Sequence, residues 1–64
     1  MNFPTKLKEL RQARSLTPEQ MAELIEVNPR TYRGYETGKT MPRIETIIKI
    51  VIALETTADE LLEM

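Results

Sequence analysis

The stretch LTPEQMAELIEVNPRTYRGYETGK, residues 16–39, contains two helix starts separated by one short apolar segment. Thr17 and Asn28 are both N-capping residues, and each is followed by proline, whose missing N–H costs nothing at the first helical position. Gln20 stands three residues after Thr17 and completes a capping box. Gly38 can end the second helix. The stretch therefore predicts a helix, a tight turn and a second helix.

Apolar spacing outside this stretch predicts three further helices. Leu7, Leu10 and Ala13 recur on one face of an N-terminal helix, and Leu16 is expected to enter the core after it. Thr57 and Glu60 form a second capping box before a short final helix. The predicted fold is all-α and has five helices, over residues 4–14, 18–25, 29–36, 44–55 and 57–63.

The fourth helix has an apolar stripe, with Ile48 at its edge and Ile52 well away from it. The predicted core stripe is Ile44, Ile47, Ile50, Val51 and Leu54. Ile48 and Ile52 are four residues apart, so they are neighbours on the helix surface. Exposed apolar pairs of this kind indicate an interface, although isolated surface isoleucines are also common. We predict a dimer surface containing Ile48, Ile52 and Leu62.

Length and composition limit the classes of protein that fit. The 64 residues suffice for one domain, 1–64, and contain no cysteine and no histidine. We therefore expect no disulfide, no metal site, no cofactor and no catalytic residues, hence no enzyme. The start of the chain has no signal-peptide pattern, and the longest apolar run is too short to span a bilayer. A cytoplasmic protein with no membrane partner is expected.

Charge is distributed unevenly along the chain, although the net charge is only −1. Residues 1–43 hold eight Lys and Arg against five Glu, a net charge of +3. Residues 44–64 hold one Lys against five Asp and Glu, a net charge of −4. The basic part contains the two-helix stretch, which is compatible with a nucleic-acid partner.

The ordered motifs resemble the Cro and lambda-repressor-like (XRE) family of helix-turn-helix DNA-binding regulators. The resemblance covers residues 7–62 and rests on Leu16-Thr17, Glu19, Met21-Ala22, Val27-Asn28, Tyr32, Tyr35-Glu36, Gly38-Lys39 and the run 42–47. It implies a compact lambda-repressor-like domain whose second and third helices form the helix-turn-helix. It also implies a buried ion pair between Arg11 and Glu36.

Two positions depart from the family pattern. Glu26 stands where the family usually has glycine, so we expect a positive φ there or a rearranged turn. Pro18 stands where a phosphate-contacting glutamine is common, and it removes a side chain and an amide donor. Gln20 is the residue that could compensate.

The resemblance assigns DNA contacts to two sets of residues. A recognition helix presents its N-terminal residues to base edges, and arginine can bond guanine O6 and N7 as a fork. The predicted base-contacting residues are Asn28, Pro29, Arg30, Thr31, Arg33 and Gly34, the glycine leaving room for close approach. The predicted phosphate-contacting residues are Thr17, Gln20, Tyr35, Thr37, Lys39 and Arg43, with Thr40 in the same loop.

Each of these assignments has a plainer alternative. Arg30 and Arg33 could be solvated cations or partners of neighbouring acids, and Lys39 and Arg43 ordinary surface charges. Tyr32 and Tyr35 occupy apolar core positions of the family, so we expect both rings to be partly buried with their hydroxyls at the rim.

The resulting hypothesis is a sequence-specific regulator, a repressor, that binds double-stranded DNA at an inverted-repeat operator as a homodimer. The alternative is a protein-interaction or antitoxin-type domain on the same fold, with a protein partner and weak or lost DNA binding.

Overall fold

The computed structural model describes residues 3–62, without the side chains of Ala58 and Leu62. It contains five helices, α1 (Phe3–Ala13), α2 (Pro18–Leu24), α3 (Pro29–Thr37), α4 (Ile44–Leu54) and α5 (Ala58–Leu62). The all-α, five-helix prediction is confirmed, and the helix ends that can be compared differ from the predicted ones by at most one residue. The predicted end of the last helix, at Glu63, lies outside the described residues. Asn2 precedes the first helix and is a candidate for its N-cap, but it lies outside the described residues.

Local hydrogen bonds fix the starts of α2 and α3. The Thr17 hydroxyl accepts the Gln20 N–H at 3.1 Å, and the Gln20 side-chain oxygen accepts the Thr17 N–H at 2.9 Å. The Asn28 side-chain oxygen accepts the Arg30 N–H at 2.8 Å. These bonds satisfy amides that have no partner inside the helix, and they confirm both predicted caps.

The turn between α2 and α3 keeps the left-handed backbone expected of the family. Glu26 has φ 61°, as predicted for this position. The Lys49 ammonium donates to its carboxylate at 2.7 Å, and this hydrogen bond and the positive charge lower the pKa of Glu26. Ser15 and Glu55 also have positive φ, at 58° and 52°, which the sequence did not predict.

The core lies between all five helices. Its buried residues are Phe3, Leu7, Met21, Ala22, Ile25, Tyr32, Tyr35, Ile50, Leu54 and Leu61. Helix α1 packs on α3 and α5, while α2 packs on α3 and α4. Leu10 and Leu16 are partly buried against this cluster. Phe3, the residue before the first proline, is fully buried and belongs to the core. The apolar spacing of α1 did not predict this.

Two apolar residues assigned to the core are exposed. Ala13, the last residue of α1, is exposed. Ile44 is 66% exposed, and with Ile48 (54%) and Ile52 (69%) it forms an outer isoleucine stripe at four-residue steps. The prediction that Ile44 belongs to the core was wrong. Ile44 lies at the edge of the buried stripe centred on Ile50 and Leu54, on the side of the helix that carries Ile48.

The second capping box is only half formed. The Thr57 hydroxyl accepts the Glu60 N–H at 3.1 Å, as predicted. The Glu60 carboxylate, however, accepts a hydrogen bond from the Thr56 hydroxyl. The Glu60 carboxylate could accept from the backbone N–H of Thr57 or from the hydroxyl of Thr56, and the sequence pattern does not predict which donor it binds.

A buried ion pair joins α1 to α3. Arg11 donates to Glu36 through Nε at 2.6 Å and through a terminal nitrogen at 3.3 Å, and to the Leu16 carbonyl at 2.6 Å. The two side chains are only 8% and 11% exposed. The hydrogen bond to Glu36 and its negative charge raise the pKa of Arg11. The ion pair implied by the resemblance is confirmed.

Tyr32 is more deeply placed than predicted. It is fully buried, and its hydroxyl donates to Glu36 instead of reaching the rim. Tyr35 is 6% exposed and meets Tyr32 edge to face, with the ring centroids 6.2 Å apart. The phenol reaches Glu36 because the two residues are one helical turn apart.

Alkaline pH is expected to destabilise the domain through Tyr32. Burial, reinforced by Glu36, raises the pKa of the Tyr32 hydroxyl above its ordinary value of 10. The neutral phenol therefore stabilises the fold fully below pH 10, and this contribution is lost as the pH rises toward the folded-state pKa. We expect the urea midpoint to fall above pH 10 and Tyr32→Phe to flatten that fall. Tyr35→Phe is the matched control; an equal flattening by this control would contradict the assignment.

Candidate nucleic-acid interface

The outer face of α3 carries polar and cationic residues opposite its buried tyrosines. Arg30, Arg33, Gly34 and Thr37 follow one another at helical spacing on this face. Together with Lys39 from the next loop, they line a shallow, open depression of ≈ 260 Å³. The structure thus brings together five of the residues that the sequence assigned to DNA.

Gly34 has a different environment from the one predicted. A Cβ at this position would lie 3.0 Å from the Thr40 methyl group, and the Thr40 N–H donates to the Gly34 carbonyl at 3.3 Å. Part of the space beside the glycine is therefore occupied by the loop that follows α3, and Gly34 lines the depression as well. Gly34 allows that loop to close on the helix, which places Lys39 beside the depression.

The two arginines of α3 differ in their surroundings. Arg33 donates to the carboxylate of Glu19 in the first turn of α2, and both side chains are 55% exposed. Arg30 is exposed and forms no ion pair within the part of the chain that the structure describes. In the protein without DNA, Arg33 is therefore paired with a neighbouring acidic residue, which was the alternative to a base contact.

The remaining residues assigned to bases lie at the start of α3. Asn28, Pro29 and Thr31 are exposed. The side-chain oxygen of Asn28 is engaged as the helix cap. Base contact by these residues remains a prediction.

Of the residues assigned to phosphates, Thr37 and Lys39 line the depression on this face. Thr17, Gln20, Thr37, Lys39 and Arg43 are exposed, and the Thr37 hydroxyl donates to the Gly34 carbonyl at 3.3 Å. Tyr35 offers little surface, because it is 6% exposed. The capping bonds leave the Gln20 side-chain amide N–H groups as donors, because only its oxygen binds Thr17. Phosphate contact by this set remains a prediction.

Fold and surface together define a helix-turn-helix domain. A family model described as "Helix-turn-helix" matches residues 7–61. The chain belongs to this family, and its type is that of the Cro and lambda-repressor-like (XRE) proteins.

Three curated relatives are named as transcriptional regulators. The cryptic phage CTXphi transcriptional repressor RstR of Vibrio cholerae is 38% identical over 95% of this chain and 54% of its own length. The transcriptional activator BcrR of Enterococcus faecalis is 39% identical over 97% of this chain and 30% of its own. The regulator AnsR of Bacillus subtilis is 35% identical over 89% of this chain and 49% of its own. The chain spans about half the length, or less, of these relatives. No solved structure matches it.

None of the described helices, over residues 3–62, is long and apolar enough to cross a membrane.

Proposed function

We propose that this chain is a sequence-specific transcriptional regulator that binds double-stranded DNA with α3 in the major groove. The observation that carries the proposal is the outer face of α3, where two exposed arginines, Thr37 and Lys39 surround one depression. A planar guanidinium is suited to paired guanine acceptors, and an exposed lysine to a phosphate. The membership in a family whose relatives are named as regulators supports the proposal.

The electrostatics agree with this orientation. The basic segment 1–43 includes α3 and its loop, whereas the acidic segment 44–64 includes α4 and α5. A polarised domain approaches DNA with its basic side, so a net charge of −1 does not prevent binding. We expect an affinity that falls as salt rises, because phosphate contacts release counterions.

The experiment that tests this function is selection of bound duplexes from a randomised pool at two salt concentrations. Recovery of one guanine-containing consensus, with weaker binding at the higher salt, supports the proposal. Recovery of no consensus would contradict it and would favour the protein-interaction or antitoxin-type alternative.

We further propose that the regulator acts as a homodimer on an inverted repeat. A domain only 27 × 23 × 19 Å in extent makes few phosphate contacts alone, and a two-fold axis would place two α3 helices about 34 Å apart on one face of DNA. The outer isoleucine stripe and Leu24 are exposed apolar residues, and Ile52 and Leu24 line a common depression of ≈ 370 Å³ together with Ala53 and the ion-paired Glu26 and Lys49. Such a surface suits a second copy of the chain. The side chain of Leu62, also assigned to the dimer, lies outside the described residues.

Substitution in the isoleucine stripe is expected to weaken self-association. Ile52→Glu places a charge on a 69% exposed apolar position, so the core is untouched while an apolar contact between copies is lost. We expect at least a tenfold increase in the dimer dissociation constant, about 1.4 kcal/mol, measured by sedimentation equilibrium. Met41→Glu is the control, because Met41 is 53% exposed but lies in the loop before α4. Equal dissociation constants for Ile52→Glu and the wild type would contradict this dimer surface.

A further inference from the structure

An acidic residue lies within the surface that the proposed function assigns to DNA. Glu19 is the second residue of α2, two positions after the Thr17 cap, and its carboxylate accepts a hydrogen bond from a terminal nitrogen of Arg33. It therefore joins the start of α2 to the outer face of α3. Both partners are 55% exposed, so the pair is accessible to a duplex approaching that face.

Stability alone is a weak explanation for this pair. Exposed ion pairs contribute little to folding, because solvent screens them and both side chains lose rotamer freedom. The helices α2 and α3 are already packed through buried residues such as Met21 and Tyr32. The pair is therefore not required to join the two helices.

The carboxylate has two consequences for DNA binding. Its negative charge offsets that of Arg33, which lowers the attraction of this face for any duplex regardless of sequence. The carboxylate also holds the end of the long Arg33 side chain in place. The guanidinium keeps other N–H donors that can bind a base. An arginine restrained before binding loses less conformational entropy when it bonds guanine.

We propose that Glu19 is a positioning residue for Arg33 and a determinant of sequence specificity. It directs Arg33 toward one base pair of the site and reduces binding to non-target DNA. This inference rests on the proposed function, and it adds an acidic residue of α2 to a recognition surface that was assigned to α3 and its basic loop.

The test compares Glu19→Ala with Glu23→Ala in the full chain. Glu23 is exposed and lies one turn later on α2, so its substitution changes the net charge equally without removing the partner of Arg33. Fluorescence anisotropy is measured over a salt series with a random-sequence duplex, with the selected duplex, and with duplexes that carry single base changes.

For Glu19→Ala we expect tighter binding to the random duplex and a salt slope steeper by about one unit, because one more cation faces the phosphates. We also expect discrimination to fall by about tenfold at a single base pair, within the range of one arginine contact. Glu23→Ala leaves that discrimination unchanged.

A double-mutant cycle separates positioning from a general charge effect. In the Arg33→Ala background, Glu19→Ala is expected to leave discrimination at that base pair unchanged, since the residue it positions is gone. An equal loss in both backgrounds, or a result matching Glu23→Ala, would overturn this inference while leaving the proposed function intact. Absence of salt-dependent duplex binding by the wild type would overturn the proposed function and the inference with it.

Discussion

Arg11→Met is expected to lower the free energy of unfolding of the domain by about 3–5 kcal/mol at neutral pH and 25 °C. The substitution leaves the Glu36 carboxylate 11% exposed without its cation, and breaking a buried pair in this way costs about 3–5 kcal/mol. A domain of 64 residues has a total stability of about 3–10 kcal/mol, so the loss consumes a large part of it. Urea unfolding followed by circular dichroism measures the effect.

Two further variants test the cause of this loss. Arg14→Met removes the cation of an exposed pair with Glu55, and we expect it to cost less than about 1 kcal/mol. Arg11→Met combined with Glu36→Gln is expected to recover much of the stability, because the amide is uncharged and its oxygen still accepts from Tyr32. A cost below about 1 kcal/mol for Arg11→Met would contradict the proposed energetic role of the pair.

Replacement of Arg30 and Arg33 by alanine is expected to abolish sequence-specific DNA binding without unfolding the domain. Each guanidinium is exposed on α3, and each arginine–guanine fork is worth about 1–3 kcal/mol of discrimination. We expect the double variant to lose at least about a hundredfold in affinity for the selected duplex. Anisotropy titration measures this loss, and an unchanged urea midpoint verifies folding.

A charge-matched variant is the control for this experiment. Lys8→Ala with Arg14→Ala removes two exposed cations from α1 and its C-terminal end, away from the α3 depression. We expect a smaller loss that disappears at higher salt, because only long-range attraction is affected. Equal losses for the two double variants would show that α3 contributes charge but no base contacts.

Local sequence predicted the helix-turn-helix better than it predicted the surface. The caps at Thr17 and Asn28 are bonds between residues two or three positions apart, so the pattern that predicts them is contained in the sequence itself. The positive φ of Glu26 came from the family resemblance, as did the Arg11–Glu36 pair, whose partners are 25 residues apart. Apolar spacing alone would not have indicated either.

The errors of prediction arise where tertiary packing decides. Ile44 lies at the edge of the apolar stripe of α4, and periodicity cannot decide which edge the neighbouring helices cover. Gly34 was predicted to leave room for close approach, and the sequence did not indicate that the Thr40 methyl group lies beside it because the loop after α3 turns back on the helix. The contact between Glu19 and Arg33 spans 14 residues and two helices, so no spacing rule indicates it.

The most direct test of the recognition helix replaces guanine by 7-deazaguanine, one position at a time, in the selected duplex. The modified base lacks the N7 acceptor in the major groove but keeps its base-pairing edge. It therefore removes one of the two hydrogen bonds that an arginine forms with guanine. We predict that the wild type loses affinity at one or two guanines of each half-site, and that the Arg30→Ala and Arg33→Ala variants lose this sensitivity at their own guanines. Equal affinity for every modified duplex would contradict the placement of α3 in the major groove.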